Sequence, residues 1–370
     1  MKRSLLVGLL LVLAAAPAHS VTAWAVSDAD YTTAMRETAH AMIVPGYQAL
    51  ATSTASLQGE LGALCEKPDA ARLDSARAAF ADTVRQWARL QYLTSGPVAE
   101  HQRASRIAYW PDKRNVVGRQ LSEVLGKQDP AALEKEHFAT TSVGVQGLPA
   151  LERLLFEDDA LTAIAPQAPG AAFRCALLGA IGNNLDTIAN EIVSGWTEGD
   201  KPYLQSLDQP DADDEEAPKP RDAAARLLND LLTATIAIRD MKLLAPLGDS
   251  LAKAKPQAAE YWRSGLSLDV LKANLEGLRE AFGTDGGLGK LLRATPEGGP
   301  VADALAATLD QAFQAKDRIA LPLDQAVKDA TQRKAVEALG EQLLRLRDLL
   351  SGPIATDLNL PIGFNALDGD

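Results

Sequence analysis

The stretch Leu268-Asp-Val-Leu-Lys-Ala-Asn-Leu-Glu-Gly-Leu-Arg-Glu-Ala-Phe282 places Leu271, Leu275, Leu278 and Phe282 at steps of four, three and four. A backbone that turns about 100° per residue puts those four side chains on one stripe, whereas a strand would throw them onto opposite faces. The same spacing recurs at Leu339, Leu343, Leu346 and Leu350, and in the doubled stripe Leu227, Leu228, Leu231, Leu232 and Ile236. Further upstream, Phe80, Val84, Trp87 and Gln91 share a face, with Asp82, Arg85 and Arg89 turned away. Alternating strand patterns are nearly absent, and good helix formers fill even the polar positions. These features predict an all-α chain.

Turn signals fall at Gly96-Pro97, Pro111, Asp129-Pro130, Pro166 to Gly170, Gly283 to Gly289, Gly298 to Pro300 and Gly352-Pro353, which is punctuation suited to helices folding back on one another. Between Asp208 and Asp222 the chain reads DQPDADDEEAPKPRD, acidic and without a large apolar side chain, as a solvated linker or loop would be. At 370 residues the chain exceeds what one core usually serves. The expected plan is two tandem antiparallel helical bundles, 24–207 and 223–370, joined by 208–222. A short echo between Ala150-Leu-Glu-Arg-Leu-Leu-Phe-Glu-Asp158 and Gly277-Leu-Arg-Glu-Ala-Phe-Gly-Thr-Asp285 is what a duplication would leave, and chance similarity between amphipathic helices explains it equally well.

Lys2 and Arg3, an apolar run from Leu5 to Ala16 and the small residues up to Val21-Thr-Ala23 have the order of a secretory signal peptide. Residues 1–23 are therefore expected to be removed, with cleavage after Ala23 and Ser20 as the rival position. No cysteine near either position offers a lipid-anchoring site. The mature chain is expected in the periplasm with no transmembrane segment. The formal net charge of -12 argues against nucleic acid as a partner, because such a surface repels phosphate backbones. The two cysteines, Cys65 and Cys175, are predicted to form a disulfide, since an oxidising compartment preserves one.

Catalytic patterns are sparse. Beyond His19 in the leader, His40, His101 and His137 form neither HExxH nor any spaced pair, which removes that route to a zinc peptidase. Glu134 and His137 have the one-turn spacing of a di-iron helix, but no second copy exists. Asp211 to Glu216 lacks the glycine that a calcium loop needs, and no GxSxG turn or phosphate loop occurs. Polar residues at chain breaks are more informative. Arg106, Trp110, Asp112 and Arg114 surround Trp110-Pro111, where an ion pair bracing the turn is the structural alternative to a site. In Gly147-Leu-Pro-Ala-Leu-Glu152, Pro149 suits a first helical turn, and Glu152 follows near the apolar face of Leu148, Leu151 and Leu155. Arg263 and Ser264 lie in Tyr261-Trp-Arg-Ser-Gly-Leu-Ser267, and Asn365 and Asp368 lie in a C-terminus expected to be docked.

At these residues the chain resembles the imelysin family, in its branch of periplasmic, iron-regulated lipoprotein-like proteins. The likeness runs through Val44-Pro-Gly-Tyr47, Trp87 to Pro97, Arg106 to Asp112, Gly147 to Phe156, Trp262 to Ser267 and Gly363 to Asp368. The family's GxHxxE pattern reads here Gly147-Leu-Pro149-Ala-Leu-Glu152, with proline in place of histidine, and proline supplies neither a ligand nor a base. The resemblance implies two related bundles with a cleft between them, and a role in the uptake of iron or another divalent metal. Glu152 is then the metal-ligating candidate, and iron-uptake components or an outer-membrane protein are the partners. The leading expectation is a non-enzymatic binding or accessory protein whose pocket is lined by Arg106, Trp110, Asp112, Gly147, Pro149, Glu152, Arg263, Ser264, Asn365 and Asp368. A metal-dependent peptidase and a purely structural interaction module remain the alternatives.

Overall fold

The computed structural model describes residues 26–200, 202–208, 219–283 and 286–363. The expected signal segment 1–23, residues 209–218 of the acidic stretch, and Asn365 and Asp368 lie outside the described residues. Everything regular among the described residues is helical. The main elements are α1 (Asp28–Thr38), α2 (Val44–Glu66), α3 (Ala70–Leu90), α4 (Val116–Lys127), α5 (Leu148–Phe156), α6 (Ala171–Thr197), α7 (Pro220–Ile236), α8 (Ser267–Phe282), α9 (Gly287–Ala294), α10 (Gly298–Asp317) and α11 (Gln332–Leu349).

Local chemistry starts these helices. Ser27 and Asp30 cap α1 reciprocally, the Ser27 backbone N–H donating to Asp30 Oδ2 at 2.9 Å and the Asp30 N–H to Ser27 Oγ at 3.3 Å, a capping box. Asp69 accepts the Arg72 N–H at 2.9 Å to begin α3, so α2 and α3 reverse over a turn of three residues. The apolar stripes read from the sequence are buried, Phe80, Val84 and Trp87 on α3 and Leu271, Leu275, Leu278 and Phe282 on α8 among them. One turn signal is corrected. Gly352-Pro353 does not end a helix; the chain passes through it as a π-turn, Leu350–Ile354, and continues. The wider ring of a π-turn accommodates a residue that lacks an N–H.

In the first half α2 packs on α3 and α6, and the Cys65–Cys175 disulfide ties α2 to α6 with a Cα–Cα distance of 5.6 Å. In the second half α10 packs on α11, α9 and α8, and α7 on α11. The halves meet where α3 crosses α8. Gly277 makes that crossing possible, because a Cβ there would overlap the Arg89 carbonyl oxygen. Around it Asn274 Nδ2 donates to Ala88 O at 2.6 Å, Tyr92 Oη donates to Gly277 O at 2.9 Å, and Arg85 pairs with Asp269 at 3.2 Å. The two echo stretches, Ala150 to Phe156 on α5 and Gly277 to Phe282 on α8, both belong to helices packed against α3. Helix α1 packs on α7 and α9, with Glu37 accepting from Gly287 N at 3.0 Å and pairing with Lys290 at 2.7 Å.

Candidate functional site

Helix α5 begins at Leu148 with Pro149 in its first turn, where a missing N–H costs nothing. Its start presses against the turn Arg103–Ile107, and Gly147 allows this approach, since a Cβ would overlap the carbonyl oxygens of Arg106 and Ile107. Three residues on from Pro149, Glu152 is 5% exposed. A carboxylate taken out of water needs hydrogen-bond donors, and the loop before α8 supplies them. Ser264 donates to Glu152 Oε1 from its backbone N–H at 3.0 Å and from Oγ at 2.8 Å. Tyr261, at φ 53° in the left-handed region, starts that loop. This conformation costs a bulky residue roughly 1–2 kcal/mol, and it turns Trp262, Arg263 and Ser264 toward α5.

A cavity of about 710 Å³ opens here, bounded by Trp110, Asp112, Pro149, Glu152, Trp262 and Arg263, among others. Arg263 stacks on the Trp262 ring, its guanidinium carbon 4.4 Å from the centroid, and makes no hydrogen bond to any described residue. Burial and the neighbouring Arg153 lower the Arg263 pKa, while Glu152 acts in the opposite sense. Burial pushes the Glu152 carboxyl above its usual range, and the Ser264 hydrogen bonds oppose that shift without cancelling it.

This placement has a measurable consequence. A raised folded-state pKa means that the contribution of Glu152 to stability is full below the ordinary value of 4.5 and is lost as pH rises through the raised value. Thermal unfolding of the wild type and of Glu152→Gln across roughly pH 4 to 7 is expected to show the wild type losing ground to the variant as pH rises. Asp230, whose carboxyl burial also pushes up, is common to both proteins and cancels in the difference. Parallel curves would contradict the assignment.

The structure brings together Trp110, Asp112, Pro149, Glu152, Arg263 and Ser264. Arg106 is elsewhere. Its guanidinium donates to Gln146 Oε1 at 2.7 Å and Asn184 Oδ1 at 2.8 Å, and Asn184 donates in turn to Gln146 O at 2.9 Å, a buried brace between the start of α5 and α6. The ion pair considered for the Trp110-Pro111 break does not form. Asp112 instead accepts the Val116 and Val117 N–H groups at 2.6 and 3.0 Å and so begins α4. Gly147 serves packing and does not line the cavity.

Among the buried charges missed in the sequence, Lys242, Glu260 and Asp230 lie beside the cavity. Lys242 pairs with Glu260 at 2.7 Å and donates to Asn274 Oδ1 at 2.9 Å. Asp230 accepts from Thr94 through N–H at 3.0 Å and Oγ1 at 2.6 Å. The available signal was a charge inside an apolar stripe, Asp230 between Leu228 and Leu231. Lys242 sits in a π-helical stretch, Ala237–Leu244, a geometry often found at functional sites.

The surroundings of Glu152 do not fit a transition metal. Ser264 and Arg263 bring N–H and O–H donors and positive charge, where a metal needs lone pairs. Among the described residues no group of three or more His, Cys, Asp or Glu side chains could hold an ion. Among the described residues no histidine lines the cavity; His40 pairs with Asp208 at 3.1 Å, and the His137 ring contacts Ala131 O at 3.2 Å. The implied role of Glu152 as an iron ligand is thus not supported by its neighbours.

No curated protein matches the chain. Among solved structures, an imelysin-like protein from Psychrobacter arcticum 273-4 superposes with a TM-score of 0.76 at 23% identity, covering 93% of this chain and 100% of that one. A protein from Parabacteroides distasonis ATCC 8503, described provisionally as an iron-regulated protein A precursor, superposes with a TM-score of 0.74 at 15% identity, covering 91% and 97%. Both likenesses concern the fold. The Imelysin family model (Peptidase M75) matches residues 43–350, and with most of its length matched the chain belongs to the imelysin family.

Proposed function

We propose that this imelysin-family protein is a non-enzymatic binding or accessory component of the bacterial periplasm, serving the uptake of iron or another metal by holding a small organic ligand in the cavity beside Glu152. The observation that carries this reading is the pairing of a buried carboxylate locked by Ser264 with an Arg263 guanidinium whose donors are not taken by any described residue. Such a wall offers hydrogen bonds and stacking to a ligand, as in polar recognition points of otherwise apolar pockets. The cavity volume of about 710 Å³ lies in the range of small-molecule sites. The iron-regulated description of the Parabacteroides protein and the leader-like N-terminus support the setting, and no helix among the described residues is long and apolar enough to cross a membrane. An iron-uptake component or outer-membrane protein is the partner that this setting calls for.

Calorimetry on the mature chain with ferric citrate, a ferric hydroxamate and haem tests the reading. Saturable binding of one of these is expected, weakened roughly tenfold or more by Arg263→Ala, as for a lost charge-assisted contact. Binding of none, or affinity unchanged in both Arg263→Ala and Glu152→Gln, overturns it.

A further inference from the structure

Beside the cavity just described lies a second one of about 320 Å³, also open to solvent, sharing with it the wall formed by Trp110, Pro111, Met241 and Glu260. Its other sides include Trp87, Tyr92, Asp230 and Lys242. Charge inside it does not balance. Lys242 and Glu260, 6% and 4% exposed, lie 2.7 Å apart and neutralise each other. Asp230, also 6% exposed, takes its hydrogen bonds from the neutral donors of Thr94; the charge of Arg226, one turn earlier on α7, acts on it only from a distance, and no cation among the described residues is within ion-pair reach. Neutral donors orient a carboxylate, and the charge of one as buried as Asp230 attracts a cation more strongly than it would in water. The fully buried Tyr47 hydroxyl, which feels the Asp230 charge, has no hydrogen-bond partner among the described residues.

We propose that this second cavity is a binding site for a small organic cation, an amine or quaternary ammonium with an apolar body, held by Asp230 between walls that include Trp87, Tyr92 and Trp110. Ring faces attract ammonium groups, and the Lys242 ammonium already stands 5.4 Å from the Trp110 ring centroid. An anion is disfavoured, because it would meet Asp230 and Glu260. A bare metal ion is disfavoured as well, since the walls are largely apolar and no set of three ligating side chains is present among the described residues. The chamber volume is at the lower end of small-molecule sites, which limits the ligand to a compact one. The inference does not depend on the ligand of the outer cavity.

Titration calorimetry of the full mature chain with choline and with phenethylammonium, using potassium acetate as the control salt, tests it. Saturable binding of at least one organic cation and none of potassium acetate is expected. Asp230→Asn should weaken the binding roughly tenfold or more, Ala108→Leu should weaken it by narrowing the chamber away from the carboxylate, and Arg263→Ala should leave it unchanged. Binding of neither cation, or equal affinity in Asp230→Asn, overturns the proposal. If circular dichroism shows that Asp230→Asn does not fold, Ala108→Leu decides, and unchanged affinity there overturns it. Loss of cation binding in Arg263→Ala would also overturn it, by placing the ligand in the outer cavity.

Discussion

Reducing the Cys65–Cys175 bridge is expected to lower the unfolding free energy by about 4–5 kcal/mol. The bridge spans a sequence separation of 110 residues. In the denatured chain it forbids every conformation in which those two points stand apart, and a chain-entropy account scales that restriction with the logarithm of the loop length. The folded state changes little on reduction, because α2 and α6 stay packed through Leu61, Leu64, Leu177 and Leu178, all buried. Urea unfolding with and without a reductant measures the effect. The midpoint should fall sharply, and the slope should rise, since a reduced denatured chain exposes more surface. An unchanged midpoint, after thiol titration has confirmed complete reduction, would show that the denatured chain is confined by something other than the bridge.

The second large effect is expected at Lys242. Removing its charge in Lys242→Met should cost about 3–5 kcal/mol, the usual penalty for leaving one member of a buried ion pair without its partner. Glu260 is 4% exposed on its side chain and cannot turn to water. Asn274 loses the donor to its Oδ1, although its own amide still holds Ala88 O at the crossing of α3 and α8. Trp110 loses the ammonium over its ring as well. The double variant Lys242→Met with Glu260→Leu should recover most of the loss, because an apolar pair of similar volume has no desolvation cost to offset. Equilibrium unfolding of the two single variants and the double variant gives the coupling. If the single Lys242→Met variant is no less stable than the double one, the pair is not the tightly coupled unit its geometry implies.

How much of this could be read in the chain differs from element to element. Helix α8 was legible because Leu271, Leu275, Leu278 and Phe282 report only the pitch of their own segment, and that pitch survives any tertiary arrangement. Pro149 was legible for the same reason, its missing N–H suiting a first helical turn. The burial of Glu152 followed from its place on an apolar face. Arg106 was misplaced because a charge beside a chain break fits a cavity wall and a buried brace equally well until its partners, Gln146 and Asn184, are known. Asp112 was expected at the site and is there, yet its two oxygens are occupied by the first N–H groups of α4. Lys242, Glu260 and Asp230 went unnoticed, since each looks like an ordinary polar position until its partner on another segment is brought alongside.

The amino-acid sequence alone determined the helical class, the kinship with imelysins and the pairing of the only two cysteines. These depend on periodicity, on matched segments and on composition, which need no knowledge of what lies across the core. Tertiary structure decided which polar groups meet. It brought Ser264 to Glu152, let α3 cross α8 at the bare Gly277 backbone, and enclosed Lys242 with Glu260 while leaving Asp230 to the neutral donors of Thr94. Those outcomes are non-local. Each is set by how helices distant in sequence pack, and a carboxylate has no fixed role until that packing determines whether water, a donor or a cation stands next to it.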